Sequence, residues 1–430
     1  MVGLGIGARL SALRHPAICF KTIRQPSPSF GPCTRRQLST SRSFQERLGK
    51  ITPKRIAIPL GSSPGIVSDG TGPSLSIWRP IIFCLVLGGG AYAGAAIYTN
   101  AETDTWARRL GDGAWWRRGT SGRASDSEIF RAKRLDQAKE AQQTINTITS
   151  NITFLPKFLQ TIILRTSVMI LEGELNTPPA TLVPLEIIGT MAFITLAWRG
   201  RRTEGFMRRW FLHRPVVFST SAKKKWQESI TLFTSILSHQ TLPHLAFNCL
   251  ALYSFGGAAY SFLSAPPPGT TPLLSSTYTP HFLAFLLAAG LTSSLASHLW
   301  TNLFRLPRLL RALANPARIS SPQALAAHEA ILPSLGASGA IYAAVTLTAC
   351  AYPNSGVSLI FFPFFAIPIG MGVGGMVMLD VIGLIRGWKM FDHVAHLGGA
   401  LFGVIYYSYG RQAWVWVRRT LGGERKPVTA

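Results

Sequence analysis

Seven apolar runs, near residues 80–98, 181–198, 242–263, 281–299, 335–352, 366–385 and 394–409, constrain this chain more than any other feature. A helix rises about 1.5 Å per residue, so roughly 20 apolar residues cross a hydrocarbon layer of about 30 Å. Each run is close to that length, although the last two are interrupted by glycines and one aspartate. Composition agrees: 47% of residues are hydrophobic and 14% charged, against about a quarter charged in soluble domains. The fold class is therefore an all-α polytopic membrane protein. No repeat period is visible, which argues against solenoids and inverted-repeat transporters.

The net charge of +25 raises the question of nucleic acid. The basic residues instead fall in the N-terminal segment and between apolar runs, and no nucleic-acid signature accompanies them. Cys19, Cys33, Cys84, Cys249 and Cys350 have no framework spacing, so neither disulfides nor structural zinc is implied. Residues 1–50 hold nine Lys or Arg, scattered serines and the single acid Glu46. That composition marks a mitochondrial transit peptide, with Arg35-Arg36-Gln37-Leu38 as a processing neighbourhood.

Residues 51–79 read as a Pro/Gly/Ser-rich linker and 80–98 as a first transmembrane helix. Residues 99–180 form a polar region. Within it Asp126 to Thr149 looks helical and solvent-exposed, and 154–172, with Lys157 and Arg165, reads as an interfacial amphipathic helix rather than a further span. Six helices then fill 181–410, and 411–430 is a tail.

The links between these six helices are asymmetric. Arg199 to Lys225, Arg305 to Arg318, and Arg386 with Lys389 make three links basic, whereas 264–280 and 353–356 carry no charge. Positive loops stay on the side from which insertion starts, here the matrix. The helix at 80–98 then delivers the chain to the intermembrane space, where the six-helix group begins.

Polar groups mark three helices near their basic-side ends. Leu335-Gly336-Ala337-Ser338-Gly339 opens the fourth, with Ser338 expected about one turn in. Small residues around a serine suit close helix packing. They equally suit a nucleophile, because glycines clear space for a substrate and a helix N-terminus offers free N–H groups to an oxyanion. His396 enters the sixth helix in Ala395-His396-Leu397-Gly398-Gly399. His244 and Asn248 lie four apart on one face of the second. All four groups sit within two turns of one membrane face. An imidazole activates a serine hydroxyl, and the Ser338 N–H, the His244 ring and the Asn248 amide are suitable oxyanion donors. Gly399 and Gly403 let the sixth helix approach the fourth.

With these motifs in that order, the chain resembles the rhomboid intramembrane serine proteases over residues 181–410. The extra N-terminal helix, the transit peptide and Phe391-Asp392-His393-Val394-Ala395-His396 make it similar to the mitochondrial inner-membrane branch. The resemblance implies a rhomboid-like six-helix core preceded by one extra transmembrane helix. It implies Ser338 as nucleophile, His396 as general base, and His244 and Asn248 as oxyanion donors. The implied partners are transmembrane substrates within the lipid bilayer, such as a dynamin-like GTPase or imported precursors. No cofactor, metal or nucleic acid is implied. The rival function is a catalytically silent relative that binds or escorts transmembrane clients. The Trp-Arg pair that many bacterial relatives carry in the first loop is missing at Ile230-Thr231.

Other polar residues have blander expectations. His393 is expected to cap or hydrogen-bond near the surface, since a metal site with His396 lacks further ligands. His239 stabilises the loop feeding the second helix. Asp380, inside the fifth helix, is expected to face the bundle or water and to make a structural hydrogen bond rather than to act as a third catalytic member. Asp392 is the one carboxylate that sequence proximity places near His396, and it lies closer to the surface. The Ser338–His396 pair is therefore expected to be a dyad oriented by packing. Pro363, Pro368 and the cluster Gly370, Gly372, Gly374 and Gly375 suit either a displaceable fifth helix or simple packing.

Overall fold

Helix forms at each of the seven apolar runs in the computed structural model, which describes residues 77–112, 125–216, 222–313, 331–359 and 362–423. The transit peptide, nearly all of the 51–79 linker and the end of the tail lie outside the described residues. The helices are α1 (Trp78–Asp112), α2 (Asp126–Asn151), α3 (Lys157–Asn176), α4 (Pro179–Ala197), α5 (Glu204–Trp210) and α6 (Ala222–Thr234). They continue with α7 (Leu242–Ser264), α8 (Thr279–Trp300), α9 (Leu306–Leu313), α10 (Ser338–Ala351), α11 (Ile369–Arg386) and α12 (His393–Thr420). Trp78–Gly111, Pro179–Ala197, Thr279–Leu309 and Ile369–Arg386 are long and apolar enough to cross a membrane, and Ser338–Ala351 is a shorter apolar helix.

Local sequence sets several of the ends. Ser125 and Glu128 form a reciprocal capping box at the start of α2. Thr241 accepts the His244 N–H and so starts α7. Gly387, in the left-handed region at φ 70°, stops α11. Asp392 caps α12 by accepting the Ala395 N–H at 3.1 Å.

The bundle is built around α10, whose residues Gly339 to Thr348 are all buried. It packs against α12, α7 and α8. Phe282, Phe285, Met191, Leu252 and Leu347 fill the core between these helices and α4. The first helix joins the bundle rather than standing apart, packing along α8 and α12. Where α12 meets α10, side chains nearly vanish: a Cβ on Gly399 would overlap the Gly339 carbonyl, and one on Gly403 the Ala343 carbonyl and Thr346 hydroxyl.

Four elements differ from the sequence expectation. Helix α1 runs on to Asp112 and α12 to Thr420, and a polar cluster joins the two extensions beyond the apolar runs. There the buried Arg418 donates to Asn100 Oδ1 (2.8 Å), Ser275 Oγ (2.6 Å) and the Leu274 carbonyl (2.8 Å). Helix α11 starts at Ile369 instead of 366, since Phe362–Pro368 is a strand paired antiparallel with Gly356–Leu359. A short Phe-rich run suits an extended pleated surface as well as a helix. Finally, α10 begins at Ser338 itself rather than one turn earlier. As for α3, none of its residues is buried by protein, and Phe158, Ile162, Met169 and Ile170 are exposed.

Candidate active site

At 14 residues α10 is about 21 Å long, shorter than the roughly 30 Å of a hydrocarbon layer. By itself it is too short to cross such a layer, and the loop 331–337 leads directly into its first residue. Gly336 sits in that loop at φ 127°, a conformation that suits glycine. The His244 ring packs where a side chain would stand, its Cε1 2.7 Å and Nε2 2.9 Å from a Cβ placed on Gly336. The turn thereby presents Ser338 as the first helical residue, with its N–H among those that lack an acceptor in their own helix.

The structure brings the four sequence-nominated groups to one cavity of about 1090 Å³. His396 Nε2 lies 2.9 Å from Ser338 Oγ. His244 and Asn248 line the same cavity from α7. The Asn248 amide nitrogen donates one hydrogen to the His244 carbonyl at 2.8 Å, leaving its second hydrogen for another acceptor. Arg305, Arg308, Arg386 and Lys389 also line the cavity, so it opens among the basic links.

Two expectations are corrected. His396 is not without a carboxylate: its Nδ1 lies 3.2 Å from Oδ1 of Asp380. His393 is buried rather than superficial, and its Nδ1 lies 2.6 Å from the same oxygen. Asp392 stays away from the imidazole. It accepts from Ser297 Oγ (2.6 Å) and Ser334 Oγ (2.7 Å), tying α8 and the serine loop to the start of α12. Sequence reasoning also passed over Tyr342, whose ring stacks on His396 with centroids 5.2 Å apart and planes inclined by 16°. Its signal was available, because Tyr342 lies one turn beyond Ser338 on the same face.

Buried histidines brace the serine loop from behind. His239 accepts the Ala337 N–H at Nε2 (3.4 Å) and packs edge-on against His244, so it supports the serine loop as well as the entry to α7. His213 pairs backbone to backbone with Ser334. Its ring reaches Thr231 Oγ1 at 3.0 Å and His298 Nδ1 at 3.1 Å, so the place without a Trp-Arg pair is packed by a hydroxyl and two imidazoles. Burial, and then the His244 ring, hold the His239 imidazole down from 6.5 to about 4. Burial, and then His298, likewise hold His213 well below its ordinary value. Between pH 6.5 and 4 the unfolded chain binds a proton at His239 that the folded chain does not. Stability present above that window therefore declines as pH falls through it. Thermal unfolding in detergent is expected to show this loss, with a shallower pH slope in His239→Gln.

The family model for the rhomboid domain matches residues 226–413. The chain is 30% identical over 233 residues to the "Presenilin-associated rhomboid-like protein, mitochondrial" of Bos taurus, covering 54% of this chain and 49% of that one. The Homo sapiens protein of the same name is 29% identical over the same length, with the same coverage. "Rhomboid protein 1, mitochondrial" of Saccharomyces cerevisiae is 30% identical over 182 residues, 42% of this chain and 41% of that one. The chain thus spans about half the length, or less, of these curated relatives. A helical chain with several span-length apolar helices, a rhomboid domain over residues 226–413 and mitochondrial relatives of this kind is a multi-pass mitochondrial membrane protein that carries a rhomboid domain.

Proposed function

We propose that this protein is a serine endopeptidase of the mitochondrial inner membrane that cuts transmembrane segments of other proteins. The observation that carries the reading is the 2.9 Å approach of His396 Nε2 to Ser338 Oγ at a short helix start in a cavity. A serine hydroxyl becomes an effective nucleophile when a neighbouring imidazole takes its proton. His396 Nε2 takes that proton as Ser338 Oγ attacks the scissile carbonyl carbon. The oxyanion so formed is met by the Ser338 N–H, the His244 ring and the free hydrogen of the Asn248 amide. His396 then gives the proton to the departing amine nitrogen, leaving an acyl-serine. Water attacks the acyl group, again losing its proton to His396, and the carboxyl product leaves as Ser338 recovers its hydrogen.

The one-plus-six helix arrangement and the inner-membrane address belong to this reading. So do the substrates, membrane-spanning segments presented laterally in the bilayer. Helix α11 fits lateral entry: Gly370, Gly374 and Gly375 have no neighbouring atom within 4 Å of an added Cβ, so close packing does not account for them.

A serine-directed fluorophosphonate tests the reading. Purified protein in detergent is expected to label at Ser338, located by peptide mapping, and Ser338→Ala to stay unlabelled. No labelling of folded protein would favour the silent, client-binding alternative. Removing one oxyanion donor acts on the transition state and costs about 10²–10³ in rate. Asn248→Ala is expected toward the smaller figure, with residual cleavage in a reconstituted assay, because His244 and the Ser338 N–H remain.

A further inference from the structure

Asp380 sits two-thirds of the way along α11, and an intramembrane carboxylate is costly without a task. Three donors converge on it. The Tyr342 hydroxyl donates to Oδ2 at 2.8 Å, while His393 Nδ1 and His396 Nδ1 lie 2.6 Å and 3.2 Å from Oδ1. An ionised carboxylate only accepts hydrogen bonds, so each imidazole nitrogen that faces it carries the hydrogen. For His396 this selects one tautomer, with the hydrogen on Nδ1 and the lone pair on Nε2. Nε2 is the atom that faces Ser338 Oγ. The opposite tautomer would set a lone pair against the carboxylate and remove the acceptor that the serine proton needs.

We propose that Asp380 is a positioning residue for His396, so that the site operates as Ser338–His396–Asp380 rather than as a pair oriented by packing alone. This rests on reading Ser338 as the nucleophile. A purely structural tie between α11 and α10 would need only the Tyr342 contact on Oδ2. The other oxygen instead serves two imidazoles, and His393 is itself pinned: a Cβ on Gly383 would overlap its ring. Gly383 and Asp380 are two of only three buried residues among those described in α11. The carboxylate thus stands where α11 meets α12, and outward movement of α11 would withdraw it from the base. When the serine proton reaches Nε2, the ring carries both hydrogens and a positive charge beside a carboxylate already held by two other donors. The proton stays on the imidazole until it passes to the leaving amine, and Asp380 remains ionised throughout.

The test uses full-length protein reconstituted with a single-span substrate, comparing Asp380→Asn, Asp380→Glu, Tyr342→Phe and Ser338→Ala. A buried carboxylate behind a catalytic histidine is worth about 10⁴ in kcat in trypsin-like sites. Here Tyr342 stacking retains part of the ring orientation, so Asp380→Asn is expected to lose about 10²–10³ in kcat with KM changed less than about twofold. Asp380→Glu is expected to recover part of that loss, and Tyr342→Phe to lose less than Asp380→Asn. Nitrogen-15 NMR of histidine-labelled wild-type protein in detergent gives a readout independent of variant folding. The His396 hydrogen is expected on Nδ1 when the ring is neutral. Full kcat in folded Asp380→Asn, with Ser338→Ala inactive, would overturn the role of Asp380 and leave the serine reading intact. A neutral His396 protonated on Nε2 would also overturn it. Activity surviving in Ser338→Ala would instead bring down the underlying reading.

Discussion

Ser338→Ala and His396→Ala are each expected to bring cleavage of a reconstituted transmembrane substrate to background. The double variant should be no worse than either, because the two side chains act as one unit across 2.9 Å. Removing the serine deletes the atom that bonds to the substrate. Removing the imidazole leaves a hydroxyl whose proton has no acceptor at that position. Initial rates in proteoliposomes measure both. His393 is the control. It shares Asp380 with His396 but presents no nitrogen to Ser338, so His393→Gln should retain measurable turnover. Full activity in His396→Ala would move the base to His393.

The second large effect is expected at Gly399, far from any chemistry in sequence terms. A Cβ there would overlap the Gly339 carbonyl, one residue from Ser338, so Gly399→Val must push α12 off α10. Overpacking a tight contact costs typically about 1–3 kcal/mol. The site suffers more than the fold, since a displacement of about 1 Å in a reacting pair can cost about 10²-fold in rate. Gly399→Val is expected to lose at least that factor and to unfold at a lower temperature. Gly374→Ala provides the contrast, because nothing lies within 4 Å of its added Cβ. Replacing that glycine is expected to hold or raise stability, by up to about 1 kcal/mol from helix propensity. Thermal unfolding and turnover of the two variants separate packing from helix preference.

The seven apolar runs were legible because bilayer thickness fixes helix length, whatever the tertiary packing. The meeting of Ser338, His396, His244 and Asn248 in one cavity was legible because each stands near the start of a helix entered from the same side. Asp380 was not. It reaches His396 from another helix, 16 residues earlier, and the rotation of α11 about its axis follows from contacts such as Gly383 with His393, which no local spacing encodes. Asp392, four residues before His396 but read as lying nearer the surface, is turned by its role as helix cap toward Ser297 and Ser334. The hairpin before α11 escaped because a short apolar run carries no period that distinguishes strand from helix. The start of α10 at Ser338 depended on one backbone angle at Gly336, which glycine permits but does not announce.

Mass spectrometry of the products from proteoliposomes holding this protein and a single-span substrate tests the central claim most directly. The expected result is a pair of fragments whose new ends lie within, or a few residues from, the membrane segment, formed by the wild type and absent with Ser338→Ala. Intact substrate with folded wild-type protein, or the same fragments from Ser338→Ala, would contradict it.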